Sequence, residues 1–163
     1  MILRLSKMPS LRGVRNLARF QKALEAVLPL TGLPLDTPGE IHVVLVTIPR
    51  ITLLNAMHLH HQGDTDVITY ELRDGASSFP LPPEAGEPVL AELYLCPDVA
   101  RRQAPAFAQP PSRELFRYAV HGLLHLAGED DLTPQALHSM RLAEERLLSA
   151  AEAQGFSLEH FLS

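Results

Sequence analysis

The sequence of 163 residues predicts one α/β domain, residues 1–163, with a small mixed β-sheet, a central helix and flanking helices. Runs rich in β-branched residues alternate with segments of helical apolar periodicity, which is the pattern of an α/β fold. Two strand-like runs are joined by a turn-rich loop rather than by a helix, which favours a mixed sheet over a parallel one. The chain shows no repeat or linker, and its length suits one hydrophobic core.

The first third of the chain predicts an edge strand followed by an amphipathic helix. Apolar and polar residues alternate weakly over residues 1–5, as in a strand. Over residues 11–28, apolar residues recur with the period of a helix. Pro29 and Gly32 close this helix. Its apolar face comprises Leu17, Phe20, Leu24, Val27 and Leu28, and its opposite, basic face comprises Arg12, Arg15, Arg19 and Lys22.

The middle of the chain predicts three strands and one short helix. The apolar, β-branched run at residues 41–48 predicts a central strand, and residues 50–59 predict a helix. Alternation predicts a strand at residues 66–72 and another at 89–95. Glycines and prolines predict a long loop at residues 73–88 between them.

The last third predicts two longer helices. After the proline-rich segment 103–111, Ser112 is the predicted N-cap of an apolar helix, and Glu114 lies in its first turn. Thr133 is a predicted N-cap, and Pro134 follows it as a proline in the first helical turn. They predict a final helix that runs to about residue 154.

Composition limits the classes of function. A net charge of −5 argues against indiscriminate nucleic-acid binding. The only cysteine, Cys96, excludes an intrachain disulfide and any zinc ribbon, and it suits a reducing compartment. The sequence has no apolar run of membrane-spanning length and no signal-peptide pattern. We therefore expect a cytoplasmic protein without a membrane partner.

Two histidines in the predicted apolar helix make the most specific chemical prediction. His121 and His125 are four residues apart, so they lie on one helix face and can reach one metal ion. Gly128 is a predicted helix stop, after which the chain reverses and can return Asp131 as a third ligand. Three protein ligands leave one position open, as in a catalytic zinc site.

The third ligand has rivals in the same part of the sequence. Asp130, Glu129 and His138 are also within reach of the predicted turn. With Asp131 as the predicted ligand, the spacing HxxxHxxGxxD is that of metal-dependent peptidases of the metzincin type. Those enzymes need a glutamate directly after the first histidine as the base. Gly122 stands there, which removes the mechanism of a peptidase.

The residues from His121 to Asp131 resemble more closely the YbeY endoribonuclease family of bacterial ribosomal RNA maturation factors. That family's signature is HGxLHLxGYDH, and the similarity continues through Met140 and Glu144 at the family's offsets. Further matches are Leu54-Asn55 and Thr65-Asp66-Val67, to the family's LN and T[DN]VLSF segments, and Leu95-Cys96-Pro97, to its strand ending ICP. The resemblance spans most of residues 40–148.

Four positions depart from the family's pattern. The family's third histidine is Asp131 here, and aspartate is an accepted oxygen ligand of zinc. The family's arginine near the metal is Leu59, which cannot stabilise charge in a transition state. The tyrosine before that arginine is His58, and His60 and His61 lie nearby. The family's tyrosine in the metal motif is Glu129, an exposed turn residue or a base.

The resemblance implies a hydrolase: a metal-dependent endoribonuclease that acts in ribosomal RNA maturation and ribosome biogenesis. It implies one divalent ion, for which we expect zinc, held by His121, His125 and Asp131. The implied partners are ribosomal RNA and the ribosome or its assembly factors, and DNA is not expected. A non-catalytic assembly module on the same fold and a small metalloprotease are the alternatives.

The basic N-terminal segment is the predicted RNA contact. Residues 1–22 contain six basic residues and no acidic one, in contrast to the acidic remainder of the chain. The predicted RNA-binding residues are Arg12, Arg15, Arg19 and Lys22. Stripes of this kind are most often solvated helix faces, and phosphate binding is the functional alternative.

Overall fold

A computed structural model of the chain describes residues 1–58, 66–72 and 88–163. The strands are β1 (Ile2–Lys7), β2 (Glu40–Leu45), β3 (Val67–Glu71) and β4 (Val89–Leu95). The α-helices are α1 (Leu17–Val27), α2 (Ile48–His58), α3 (Pro97–Gln103), α4 (Pro111–Leu126) and α5 (Pro134–Ala153). Most of the predicted loop at 73–88 lies outside the described residues.

The strands form a four-stranded mixed sheet in the order β1-β2-β4-β3. β1, β2 and β4 are parallel, and β3 runs antiparallel to β4. The predictions of a mixed sheet, of an edge position for β1 and of a central position for the second strand are confirmed. The second strand ends at Leu45 rather than at residue 48, because Ile48 already begins α2.

Helix α4 is the central helix of the domain. It contacts β3 and β4 on one side and packs against α1, α3 and α5 on the others. Gly122 permits this close packing, because an added Cβ would lie 2.5 Å from Cδ2 of Leu93 and 3.2 Å from Oγ1 of Thr69. The buried apolar residues predicted for this helix are therefore core residues of the whole domain.

The N-terminal helix is shorter than the sequence predicts. α1 begins at Leu17 rather than at residue 11. The preceding residues pair with the C-terminal segment: Val14 forms an antiparallel bridge with Leu162, and the Arg15 amide donates to the Phe161 carbonyl at 2.7 Å. Asn16 has φ 55°, a left-handed conformation that breaks a helix. Arg12 and Arg15 therefore do not share a helix face with Arg19 and Lys22.

The predicted cap of α4 is also wrong. The N-cap position is Pro110, and Ser112 lies within the helix. The buried Ser112 hydroxyl instead accepts hydrogen bonds from the amides of Phe161 and Leu162, at 3.1 and 2.9 Å. It therefore anchors the C-terminal segment. Helix α3 and the 3₁₀ turn at Ala104–Phe107, which lies inside the proline-rich segment, were not predicted from the sequence.

The ends of α5 confirm the prediction. The Thr133 hydroxyl accepts a hydrogen bond from the Ala136 amide at 3.0 Å, and Pro134 is the first helical residue. Gly155, with φ 91°, follows the helix. Across the described part of the chain, no helix combines the length and the apolar character that crossing a membrane requires.

Candidate metal centre

A glycine-dependent turn reverses the chain after α4. Gly128 has φ 101°, a conformation that glycine adopts at little cost. The Gly128 amide donates to the His125 carbonyl and the Glu129 amide donates to the Leu124 carbonyl, both at 3.0 Å. These two bonds form a Schellman motif. The predicted helix stop is confirmed, and the turn directs residues 129–131 back towards α4.

The turn brings Asp131 next to the two histidines. The Nε2 atoms of His121 and His125 are 2.9 Å apart. The Asp131 carboxylate oxygens lie 3.7 Å from Nε2 of His121 and 3.8 Å from Nε2 of His125. A tetrahedral zinc site with bonds of about 2.0–2.1 Å separates its ligand atoms by about 3.3 Å. The three observed distances bracket this value, so the side chains fit a small divalent ion.

The hydrogen bonds of both rings favour metal ligation through Nε2. Nδ1 of His121 lies 2.6 Å from a carboxylate oxygen of Glu144, and Nδ1 of His125 lies 3.0 Å from the Glu129 carbonyl oxygen. Since both partners only accept, each neutral ring carries its proton on Nδ1. Both Nε2 lone pairs then point into the same space, where a cation is the natural partner.

Glu144 is the residue that holds His121, and sequence reasoning gave it no role. Its side chain is 1% exposed and lies on the buried face of α5. Burial alone would raise the pKa of its carboxyl, but the hydrogen bond with His121 and the charges of Arg117 and Arg141 together lower it. Glu144 therefore stays ionised in the core. The available signal was an acid among residues of apolar helical periodicity, since Met140, Leu147 and Leu148 share its face.

A second buried carboxylate lies beneath this network. Arg117 bonds to Glu114, which is 0% exposed, and donates to Glu144 at 3.2 Å. Burial alone would lower the pKa of the Arg117 guanidinium, but the two carboxylates outweigh it and raise that pKa. Glu114, predicted only to favour the helix dipole, thus helps to orient Glu144 and through it His121.

A cavity of about 370 Å³ opens beside the two histidines. Its other wall is β3 and the residue before it, which contribute Asp66, Thr69 and Glu71. The two carboxylates lie outside the ligand set but in the same cavity as the histidines. The cavity therefore combines a candidate metal centre with groups that can accept a proton.

The rival ligands do not join the histidines. Among the described residues, His121, His125 and Asp131 are the only such group of metal-ligating side chains. Asp130 accepts a hydrogen bond from the Leu132 amide, and His138 is exposed on α5. The Glu129 side chain is exposed in the turn, while its backbone carbonyl holds His125.

Leu59, His60, His61 and Thr65 lie outside the described residues, and α2 ends at His58. Cys96 is fully buried, as expected for a small core residue.

The four predicted RNA-binding residues are all exposed. Arg12 and Arg15 lie in the segment that pairs with the C-terminus, whereas Arg19 and Lys22 lie on α1. Arg19 also has protein partners, because it donates to the Gly155 carbonyl at 3.0 Å and lies 5.3 Å from the Phe156 ring centre. The four cations therefore do not form a single stripe along one helix.

The chain is similar to known proteins in sequence and in fold. The family described as Endoribonuclease YbeY matches residues 9–152. Endoribonuclease YbeY of Salinibacter ruber is 37% identical over 111 residues, which is 68% of this chain and 69% of that protein. Endoribonuclease YbeY of Elusimicrobium minutum is 33% identical over 136 residues, covering 83% and 87% of the two chains. A solution structure from Thermotoga maritima has a similar fold, with TM-score 0.60, 23% identity, and coverage of 94% of this chain and 91% of that one.

Proposed function

This chain belongs to the YbeY endoribonuclease family, and on that premise we propose that it is a metal-dependent endoribonuclease acting in ribosomal RNA maturation. The observation that carries the proposal is the convergence of both Nε2 atoms and the Asp131 carboxylate beside an open cavity. The proposed partners are ribosomal RNA and the ribosome or its assembly factors, and the proposed compartment is the cytoplasm.

The proposed ligands are His121, His125 and Asp131, with zinc as the expected ion because its nitrogen and carboxylate ligands form such three-residue sites. When bound, the ion would supply Lewis-acid chemistry that activates water and polarises a phosphoryl oxygen. Glu144 and the Glu129 carbonyl keep both rings in the tautomer that leaves Nε2 available. The cavity wall at β3 offers carboxylates to take up the proton that water releases.

The position of Gly122 weighs against a peptidase. Gly122 packs against Leu93 and Thr69, so a glutamate at this position would clash with the sheet. The chain therefore has no room for the base that a metzincin-type peptidase places there.

Metal analysis of the purified chain tests the site. We expect about one transition-metal ion per chain, and loss of that ion in His125→Ala. His138→Ala is the matched control, because this exposed histidine lies outside the ligand group. A wild-type protein that neither contains nor takes up a transition metal would refute the site. Full metal content in Asp131→Ala would refute only the third ligand.

Cleavage assays test the activity. We expect the metal-loaded chain to cut ribosomal RNA, and a chelator or His121→Ala to abolish the cleavage. Chelator-sensitive cleavage of casein would instead support the peptidase. Failure to cut any RNA with the metal site full would support the assembly module.

The basic residues of the N-terminal region are the proposed RNA contacts outside the cavity. Replacing Arg12, Arg15, Arg19 and Lys22 by glutamine should weaken RNA binding and flatten its salt dependence, because fewer counterions are released. Metal content serves as the control for folding. Unchanged affinity at low salt would mean that these cations form only a solvated surface.

A further inference from the structure

One large aromatic side chain is held in solvent close to the candidate metal centre. Phe107 is 54% exposed at the end of the 3₁₀ turn Ala104–Phe107. The turn is closed by the Gln109 amide, which donates to the Ala104 carbonyl at 3.1 Å. Ala108 adopts φ 52°, a conformation that costs a non-glycine residue free energy. The backbone around Phe107 thus forms a closed turn, and its side chain is more than half exposed.

Two guanidinium groups flank this ring. The Cζ atoms of Arg117 and Arg141 lie 5.8 and 6.0 Å from the Phe107 ring centre, within the range of cation–π attraction. The Arg117 side chain is nearly buried, whereas the Arg141 side chain is 46% exposed. Arg141 donates to Glu144 through one nitrogen at 3.4 Å, and a guanidinium has five donor hydrogens. It therefore retains donors for an anion in solvent.

The same network connects the ring to the candidate metal ligands. Both arginines contact one oxygen of Glu144, and its other oxygen lies 2.6 Å from Nδ1 of His121. Phe107 is therefore separated from the His121 ring by only two side chains.

An exposed aromatic ring beside a cation is the combination that binds single-stranded nucleic acid, where bases stack and phosphates pair with arginine. We propose that Phe107 and Arg141 form a nucleotide subsite, with an unpaired base stacked on Phe107 and the adjoining phosphate bound by Arg141. The inference rests on the proposed function and adds to it a contact with a nucleotide beside the cleaved bond. A base inside a double helix could not reach the ring.

Equilibrium binding to labelled 2′-O-methyl oligouridine tests the stacking. Phe107→Ala should bind about tenfold more weakly than wild type, and Phe107→Trp should bind at least as well as wild type. Wild type should lose about the same tenfold on an oligonucleotide that is abasic throughout, where Phe107→Ala should cause no further loss. Leu142→Ala is the matched control, since Leu142 is a 60% exposed apolar residue next to Arg141 in sequence. Metal content confirms that each variant is folded.

Salt dependence tests the phosphate contact separately. Arg141→Gln should reduce the slope of log affinity against log salt concentration by about 0.7, the value for one phosphate on a single strand. Phe107→Ala should leave that slope unchanged. An unchanged slope in Arg141→Gln would overturn its assignment.

The outcomes separate the subsite from the proposed function. If wild type binds the oligonucleotide and Phe107→Ala binds equally well, the subsite is refuted while the ribonuclease proposal stands. Equal losses by Phe107→Ala on normal and abasic oligonucleotides would also refute stacking. If wild type binds no RNA, the proposed function fails, and the subsite fails with it.

Discussion

Helix α4 carries two arginines one turn apart, and each of them bridges two carboxylates. Arg113 bonds to Glu145 at 2.6 Å and to Glu152 at 3.0 Å, and the carboxylate side chains are 56% and 42% exposed. Arg117 bonds to Glu114 and Glu144, whose side chains are 0% and 1% exposed. Both arginine side chains are 13% exposed. The two clusters thus have the same chemistry and differ in the burial of the acids.

This difference decides what each cluster does. Water screens the acids around Arg113, so that this cluster joins α4 to α5 with little energy. The acids around Arg117 are desolvated, so removal of their cationic partner would leave buried charge without compensation. Only the buried cluster reaches a candidate metal ligand, through the bond between Glu144 and His121. The buried cluster around Arg117 therefore supports the candidate metal centre, whereas the exposed cluster around Arg113 does not contact it.

Removal of Arg117 should have the largest effect. Arg117→Met leaves the Glu114 carboxylate without its guanidinium partner and weakens the neutralisation of Glu144, and we expect a loss of about 3 kcal/mol in the free energy of unfolding. Urea unfolding of the metal-free protein measures it. A loss below about 1 kcal/mol, the range of an exposed pair, would show that burial does not distinguish the clusters.

Removal of the Glu144 charge should mainly affect the metal. In Glu144→Gln the partner of Nδ1 of His121 is neutral, so we expect metal affinity to fall about 10- to 100-fold. Competition with a chromogenic chelator measures the affinity. Glu145→Gln is the matched control, because Glu145 follows Glu144 on α5 but contacts Arg113 instead of His121. Equal affinities of the two variants would contradict the supporting role of Glu144.

Acidification should lower the free energy of unfolding through the buried acid Glu144, because the pKa of its carboxyl is lowered in the folded state. Burial alone would raise the pKa of Glu144, but His121 and the arginines hold it below its ordinary value of 4.5. Its charge therefore stabilises the fold above the unfolded pKa, and this contribution is lost as the pH falls through the folded pKa. Metal-free wild type should lose more unfolding free energy on acidification than Glu144→Gln. Parallel curves of stability against pH would contradict this.

Removal of Arg113 should have the smallest effect. We expect Arg113→Gln to cost about 1 kcal/mol or less, and the cost to shrink in high salt, because the partner acids are exposed. Metal affinity should not change. Thermal unfolding in low and high salt provides the measurement, and a salt-independent loss as large as that of Arg117→Met would remove the contrast.

The histidine turn could be predicted from sequence because its determinants are local. Helical spacing puts His121 and His125 on one face. Gly128 ends the helix, because glycine lacks a Cβ and adopts φ 101° at little cost. Asp131 returns within three residues of that glycine. The four strands and the ends of α5 were predictable for the same reason, because alternation, caps and prolines act over a few residues.

The beginning of α1 and the support of the site were decided by tertiary structure. Residues 13–15 leave the helical pattern because they pair with residues 161–163, and Ser112 holds those same residues instead of capping α4. Glu144 meets His121 only once α5 packs on α4. In each case the partner lies far along the chain, and local periodicity carries no information about it. By itself, the sequence determined which side chains could bind a metal. Packing decided which groups hold them in place, because hydrogen bonds and burial across the core depend on contacts that form only in the folded chain.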